Sequence, residues 1–243
     1  MTPLMLTLMI FGVMLLLMAL RTPIAIAMFV AGTVGYVAQA GWAPLANFLN
    51  TQAFARFASY DLSVIPLFIL MGNFATQGGI SRSLFEFAAA LMGRFKGGLA
   101  MAGVLACAAF GAICGSSVAT AATIGTVAIP NMDKGGYNRP LFLGSIAAGG
   151  TLGILIPPSI NMIIYAVLTD TSVADLYAAG FIPGFMLAGL FSLMVLALCV
   201  FRPQWAGPRQ DTSNLWQERV SGLKNLLPPL GLFLVVVGSI YAG

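Results

Sequence analysis

Residues 97–130 form a run of 34 positions without a charged side chain, and cations bracket it: Arg94 and Lys96 before, Lys134 and Arg139 after. One straight helix over that run would be about 51 Å long, against a bilayer hydrocarbon core of about 30 Å. Small residues interrupt it near the middle, at Gly111, Gly115, Ser116 and Ser117. The flanking arms, 97–110 and 118–129, would each measure about 18–21 Å, too short to cross. A chain with this feature turns back on itself inside an apolar phase.

Composition puts the whole chain in that phase. Of 243 residues, 59% are hydrophobic and 7% charged, where a soluble domain carries about 25% charged. The net charge of +4 comes from eleven Lys and Arg scattered between apolar runs. They form no patch, so nucleic acid is not an expected partner and the lipid bilayer is. There is no histidine, which removes the commonest general base and metal ligand. Cys107, Cys114 and Cys199 lie inside apolar runs without a CxxC pair. They read as small core residues, and no transition metal is expected. The first apolar stretch, 4–20, lacks a basic leader and an A-x-A site, so it reads as a span rather than a signal peptide.

The remaining runs divide by length and punctuation. Residues 4–20 and 24–38 are spans around the turn Arg21-Thr22-Pro23, and 41–61 is a more polar interfacial stretch with Trp42 and Tyr60. Residues 62–77 cross again, ended by Gly78-Gly79. Residues 81–92 place Leu84, Phe85 and Ala88 opposite Arg82 and Glu86, which predicts a helix on the membrane surface with Ser81 as its N-cap. Residues 137–168 are another overlong apolar run, broken at 149–153 and at Pro157-Pro158. Residues 183–201 and 223–241 are spans, separated by a polar loop over 202–222.

Charge sets the orientation. With Arg21 on the cytoplasmic side, ten of the eleven basic residues fall on that side, and only Arg56 falls outside. The split requires 97–130 to return to its own side, as a re-entrant hairpin, and 137–168 to cross, as a broken helix. The N-terminus is then external. The predicted fold is all-α: a polytopic membrane protein with a re-entrant helical hairpin and a broken transmembrane helix.

Irregular backbone at membrane depth is tolerated only inside protein or against a wet cavity. Broken helices bring carbonyl ends and amide ends to the midplane, where they can hold ions. The hairpin tip offers Gly115, Ser116 and Ser117, and the break offers Gly149, Thr151 and Gly153. Carbonyl and hydroxyl oxygens without a buried carboxylate suit a monovalent cation such as sodium better than a transition metal. Past the break, Pro157 and Ser159 are candidates on the substrate side, with a helix expected to restart at Pro157-Pro158-Ser159. Ser159 and Asn161 either ligate or are satisfied by neighbouring backbone. Glycines such as Gly32, Gly35, Gly180, Gly184 and Gly189 read as close-packing residues.

GAICGSSVATAATIGTVAIPNMDKGGYNR (111–139), GGTLGILIPPS (149–159) and AAGFIPGFML (178–187) together resemble the large membrane subunit of tripartite ATP-independent periplasmic (TRAP) transporters. RTPIAIAM (21–28) and IPLFILMGNFA (65–75) are similar too. The resemblance implies one inverted repeat of an elevator-type secondary transporter in the bacterial inner membrane. Its implied partners are a small membrane subunit and a periplasmic solute-binding protein, which delivers an organic acid such as a C4-dicarboxylate or sialic acid. A sodium gradient drives uptake in that family, with Na+ as coupling ion and no cofactor, bound where hairpin tip meets break. That points again to Gly115, Ser116, Ser117, Gly149, Thr151 and Gly153. The family has two hairpins and two broken helices and about twice this length. The chain thus reads as a truncated N-terminal repeat: scaffold spans and surface helix over 1–93, the transport element over 94–170, and C-terminal spans over 171–243.

Other functions fit less well. Another ion-coupled anion transporter of the same superfamily is the nearest alternative. An intramembrane hydrolase could use Ser116, Ser117 or Ser159, but the chain has no histidine and no Lys or Asp close to them in an apolar run. A channel would need a pore lined by polar rings, which the small-residue runs do not supply. No catalytic residue is assigned.

Overall fold

The computed structural model describes residues 3–58, 60–207 and 215–242, and every regular element among them is helical. Contacts divide the chain into two compact units, Met1–Tyr60 and Asp61–Gly243.

In the first unit, α1 (Pro3–Ala19) and α2 (Ile24–Ala40) pack as a pair, followed by α3 (Trp42–Phe57). The turn between α1 and α2 is closed by the Thr22 hydroxyl, which donates to the Leu17 carbonyl at 2.7 Å. Gly35 lies against Ile10 with no room for a Cβ. The outward faces remain apolar, with Leu4, Leu8, Leu16, Ile26 and Phe29 each more than half exposed. Such faces require lipid or another protein as their solvent.

The second unit opens with α4 (Tyr60–Gln77) and α5 (Ile80–Met92). They meet at a bend of 64°, and the pair together is long and apolar enough to cross a membrane. Leu84, Phe85 and Ala88 are buried while Arg82 and Glu86 are exposed, as the periodicity requires. Leu84 shares a cavity wall with Ala109 and Ile113, while the Met92 carbonyl packs on Gly98 at the start of the next helix. The buried face of α5 thus runs antiparallel along that helix. Ser81 is not the cap: it is buried in the first turn, and the N-cap position is Gly79, in the left-handed region with no side-chain cap bond.

The hairpin consists of α6 (Gly98–Cys114) and α7 (Ser117–Gly135). Its arms are longer than expected, about 25 and 28 Å. Gly111 is helical rather than a breaker, and α7 continues through Pro130. The broken helix consists of α8 (Arg139–Gly150), a 3-10 turn at Thr151–Ile154, and α9 (Ile160–Thr169). Directions follow from close approaches. Along α6, Gly103 meets Ile146, Val104 meets Gly149 and Gly111 meets Gly153, so α6 and α8 run parallel. Gly150 meets Ala121 and Gly153 meets Thr120, so α7 runs antiparallel to α8. The two arms are therefore antiparallel to each other, and the hairpin returns to the end it came from. An exposed ion pair at 2.8 Å, Arg139 to Asp133, joins the end of α7 to the start of α8.

Two expected spans begin earlier than the sequence suggested. The helix α10 (Val173–Phe201) has 29 residues and absorbs Pro183. It is long and apolar enough to cross alone, at about 43 Å. It runs antiparallel to the broken helix: Tyr177 reaches Ser159, Gly184 meets Ile156, and Cys199 meets Gly97 at the hairpin base. The helix α11 (Leu215–Ala242) includes residues 215–222 of the expected polar loop. Residues 208–214 of that loop lie outside the described residues.

Candidate functional site

The hairpin tip is built on Gly115. Its φ of 65° lies in the left-handed region, where a side chain is strained. Its N–H donates to the Gly111 carbonyl at 2.7 Å, closing α6. A Cβ on Gly115 would also lie 3.2 Å from both the Ile160 nitrogen and the Pro158 carbonyl oxygen, so backbone meets backbone here. Ser116 is extended and caps α7: its Oγ accepts a long bond of 3.5 Å from the Ala119 N–H. Ser117 begins α7 and is half-buried.

Across from the tip lies the break. Gly153 is buried, and a Cβ on it would lie 3.0 Å from Thr120 Oγ1 and 3.1 Å from the Ser116 carbonyl oxygen. Gly150 approaches the Ser117 carbonyl in the same way, at 3.1 Å. Gly149 instead packs on α6, against Cys107 and Val104. The structure thus places Gly115, Ser116, Ser117 and Gly153 around one junction. Thr151 is different: its side chain is exposed and its hydroxyl donates to the Ala148 carbonyl at 2.6 Å.

The restart of the broken helix is also later than expected. Pro157 and Pro158 are fully buried but lie outside any helix, and α9 starts at Ile160, with Ser159 in the capping position. Ser159 does not cap with its side chain. Its hydroxyl is fully buried and donates to the Ile154 carbonyl at 2.9 Å, back across the break. Its carbonyl accepts from the Tyr177 hydroxyl at 3.3 Å. Of the two alternatives left open for Ser159, the neighbouring backbone satisfies the hydroxyl proton.

Gly111, read from sequence as an interruption of the run, belongs to this junction together with two residues that sequence reasoning missed, Tyr177 and Thr120. Gly111 allows α6 to touch the break: a Cβ there would come within 2.6 Å of the Gly153 Cα. Tyr177 fixes the Ser159 carbonyl from α10. Thr120 stands out most. It is completely buried, and its Oγ1 has no oxygen or nitrogen partner; the Cys114 sulfur beside it is a weak acceptor for the hydroxyl proton. A buried polar group with no partner at all costs about 1–3 kcal/mol, and a thiol sulfur offsets little of that. Thr120 follows Ser116 by one helical turn, so the i, i+4 spacing on α7 was the signal that could have found it.

The junction gathers four helix ends: the carbonyl ends of α6 and of the 3-10 turn, and the amide ends of α7 and α9. Added to these are the hydroxyls of Ser116, Ser117 and Thr120. Among the described residues, no group of three His, Cys, Asp or Glu gathers to hold a metal. Neutral oxygens of this kind fit a hard monovalent cation, which they can release without leaving a buried net charge.

Residues 11–243 match the family described as "Tripartite ATP-independent periplasmic transporter, DctM component". The chain is similar to the C4-dicarboxylate TRAP transporter large permease protein DctM of Pseudomonas aeruginosa, at 40% identity over 80% of this chain and 45% of that protein. It is 36% identical to the Rhodobacter capsulatus protein of the same name, over 97% of this chain and 56% of that one. It is 30% identical to the sialic acid TRAP transporter permease protein SiaT of Haemophilus influenzae, over 95% of this chain and 36% of that protein. The chain spans about half the length of the two DctM proteins and about a third of SiaT.

Proposed function

Because this chain belongs to the DctM component family of tripartite ATP-independent periplasmic transporters, we propose that it acts within the large membrane subunit of a sodium-driven importer of an organic acid. C4-dicarboxylate and sialic acid, named for its relatives, give the substrate class. A small membrane subunit and a periplasmic solute-binding protein complete the system. The inner membrane is its place, with the N-terminus on the periplasmic side.

One observation carries this reading: the tip and the break meet through glycines, and a buried hydroxyl with no oxygen or nitrogen partner, Thr120, sits where they meet. Sodium at this junction accepts the lone pairs of Thr120, Ser116 and nearby carbonyls. The ion thereby ties hairpin to broken helix and favours one arrangement of the two elements over another. Loss of the ion leaves neutral oxygens, so the element can move without a stranded charge. The family's elevator-type motion and inverted repeat would place this hairpin in the moving element.

The test is solute uptake into proteoliposomes holding the full-length large subunit, its small subunit and the binding protein. Uptake is expected to follow an inward sodium gradient, and Ser116→Leu or Ser117→Leu to raise the sodium concentration for half-maximal uptake. Uptake that proceeds at full rate without sodium would overturn the proposal.

A further inference from the structure

We propose that the groove between α8 and α10 is a binding site for an anionic phospholipid, with the acyl chain in the groove and the phosphate held by Lys96 and Arg202 at its mouth. The groove has a volume of about 250 Å³, with Pro140, Gly144 and Ala148 on the α8 wall, Phe191 and Leu198 on the α10 wall, and Val104 at its floor. It is separate from the tip–break junction. Gly144 and Pro140 are exposed, as is Met194 on the opposite rim, so the groove opens outward along its length. From Pro140 to Ala148 it runs about 12 Å along α8.

Its two ends differ in chemistry. Toward the break its lining is apolar, with Val104, Ala148 and Phe191. Toward the hairpin base, the chain brings cations together. Arg202 follows Leu198 by one turn, with its N–H donating to the Leu198 carbonyl at 2.8 Å. Its guanidinium lies 4.9 Å from the Trp205 ring centre. Lys96 precedes Gly97, which packs on Cys199 and Val195 of α10. Gly207 packs on Tyr137, so residues 202–207 fold toward the α7–α8 turn. Asp133, an acidic residue at this end, is paired with Arg139. Among the described residues, neither Lys96 nor Arg202 has a carboxylate partner.

An apolar slot of this depth, with cations and a tryptophan at one end, matches the two halves of a phospholipid. The charge at the mouth selects an anionic headgroup over a zwitterionic one. Such a lipid would bridge α8 of the broken helix to α10.

The experiment is native mass spectrometry of the full-length chain, released from micelles containing equal phosphatidylglycerol and phosphatidylcholine. The wild type is expected to retain phosphatidylglycerol preferentially, by about five-fold for each contributing cation. Lys96→Ala with Arg202→Ala should bring the ratio near one while total bound lipid remains. Gly144→Leu, introduced where a Cβ meets nothing within 4 Å, should instead reduce retention of both lipids. Equal retention of the two lipids by the wild type would overturn the proposal. So would a preference unchanged in the double variant, or retention untouched by Gly144→Leu in a protein that elutes and melts like the wild type.

Discussion

Gly111 and Gly153 touch backbone to backbone: a methyl group on Gly111 would come within 2.6 Å of the Gly153 Cα. This contact lets the last turn of α6 lie against the broken helix, and it sets how closely the hairpin tip approaches the break.

Gly111→Ala is expected to destabilise the protein by about 1–3 kcal/mol, because the clash is with backbone that cannot rotate away. Gly125→Ala on the other arm meets only the Ile129 Cδ1, at 3.9 Å. That change should be neutral or stabilising, by up to about 1 kcal/mol. Thermal melting of both variants in detergent makes the comparison.

Tyr177→Phe removes one hydrogen bond, to the Ser159 carbonyl, and leaves the packing of the ring. The expected loss is about 0.5–1.5 kcal/mol, read as a lower melting temperature. If the melting temperature is unchanged, the phenol does not hold the break.

Much of this architecture was legible from charge and length. The uncharged run over 97–130 required a hairpin, because no single helix of that length fits a bilayer, and the glycines at 115 and 149–153 signalled the two breaks, although α8 continues through Gly150. Less legible was anything set by tertiary packing. Whether Leu84 and Phe85 face lipid headgroups or α6 is not encoded in their periodicity, which is the same in both cases. Gly111 looked like a helix breaker because its tolerance in a helix depends on Gly153, 42 positions away. Thr120 was overlooked because its i, i+4 spacing from Ser116 marks only a shared helix face, while its burial is set by packing against the break. Prolines misled at the ends: Pro183 and Pro130 sit inside helices that context keeps continuous.

The positive-inside split gives an orientation that single cysteines can report. The native Cys107, Cys114 and Cys199 are buried, so their background labelling should be low. Thr171→Cys, in the turn between α9 and α10, is expected to react with an impermeant thiol reagent from outside intact cells. Asn138→Cys and Gln204→Cys should react only after permeabilisation. External labelling at Asn138 would reverse the orientation.

The most direct measurement is the sodium dependence of uptake by Thr120→Val in the reconstituted full-length system. Valine keeps the shape and deletes the hydroxyl, which has no oxygen or nitrogen partner. Removing a buried hydroxyl whose partner is only a thiol sulfur should change stability little, and a melting temperature measured beside uptake separates lost function from unfolding. The expected result is a rise of about ten-fold or more in the sodium concentration for half-maximal uptake, equivalent to about 1.4 kcal/mol of lost ion binding. A variant equally or more stable, with sodium dependence unchanged, would contradict a sodium site at the junction of hairpin tip and break.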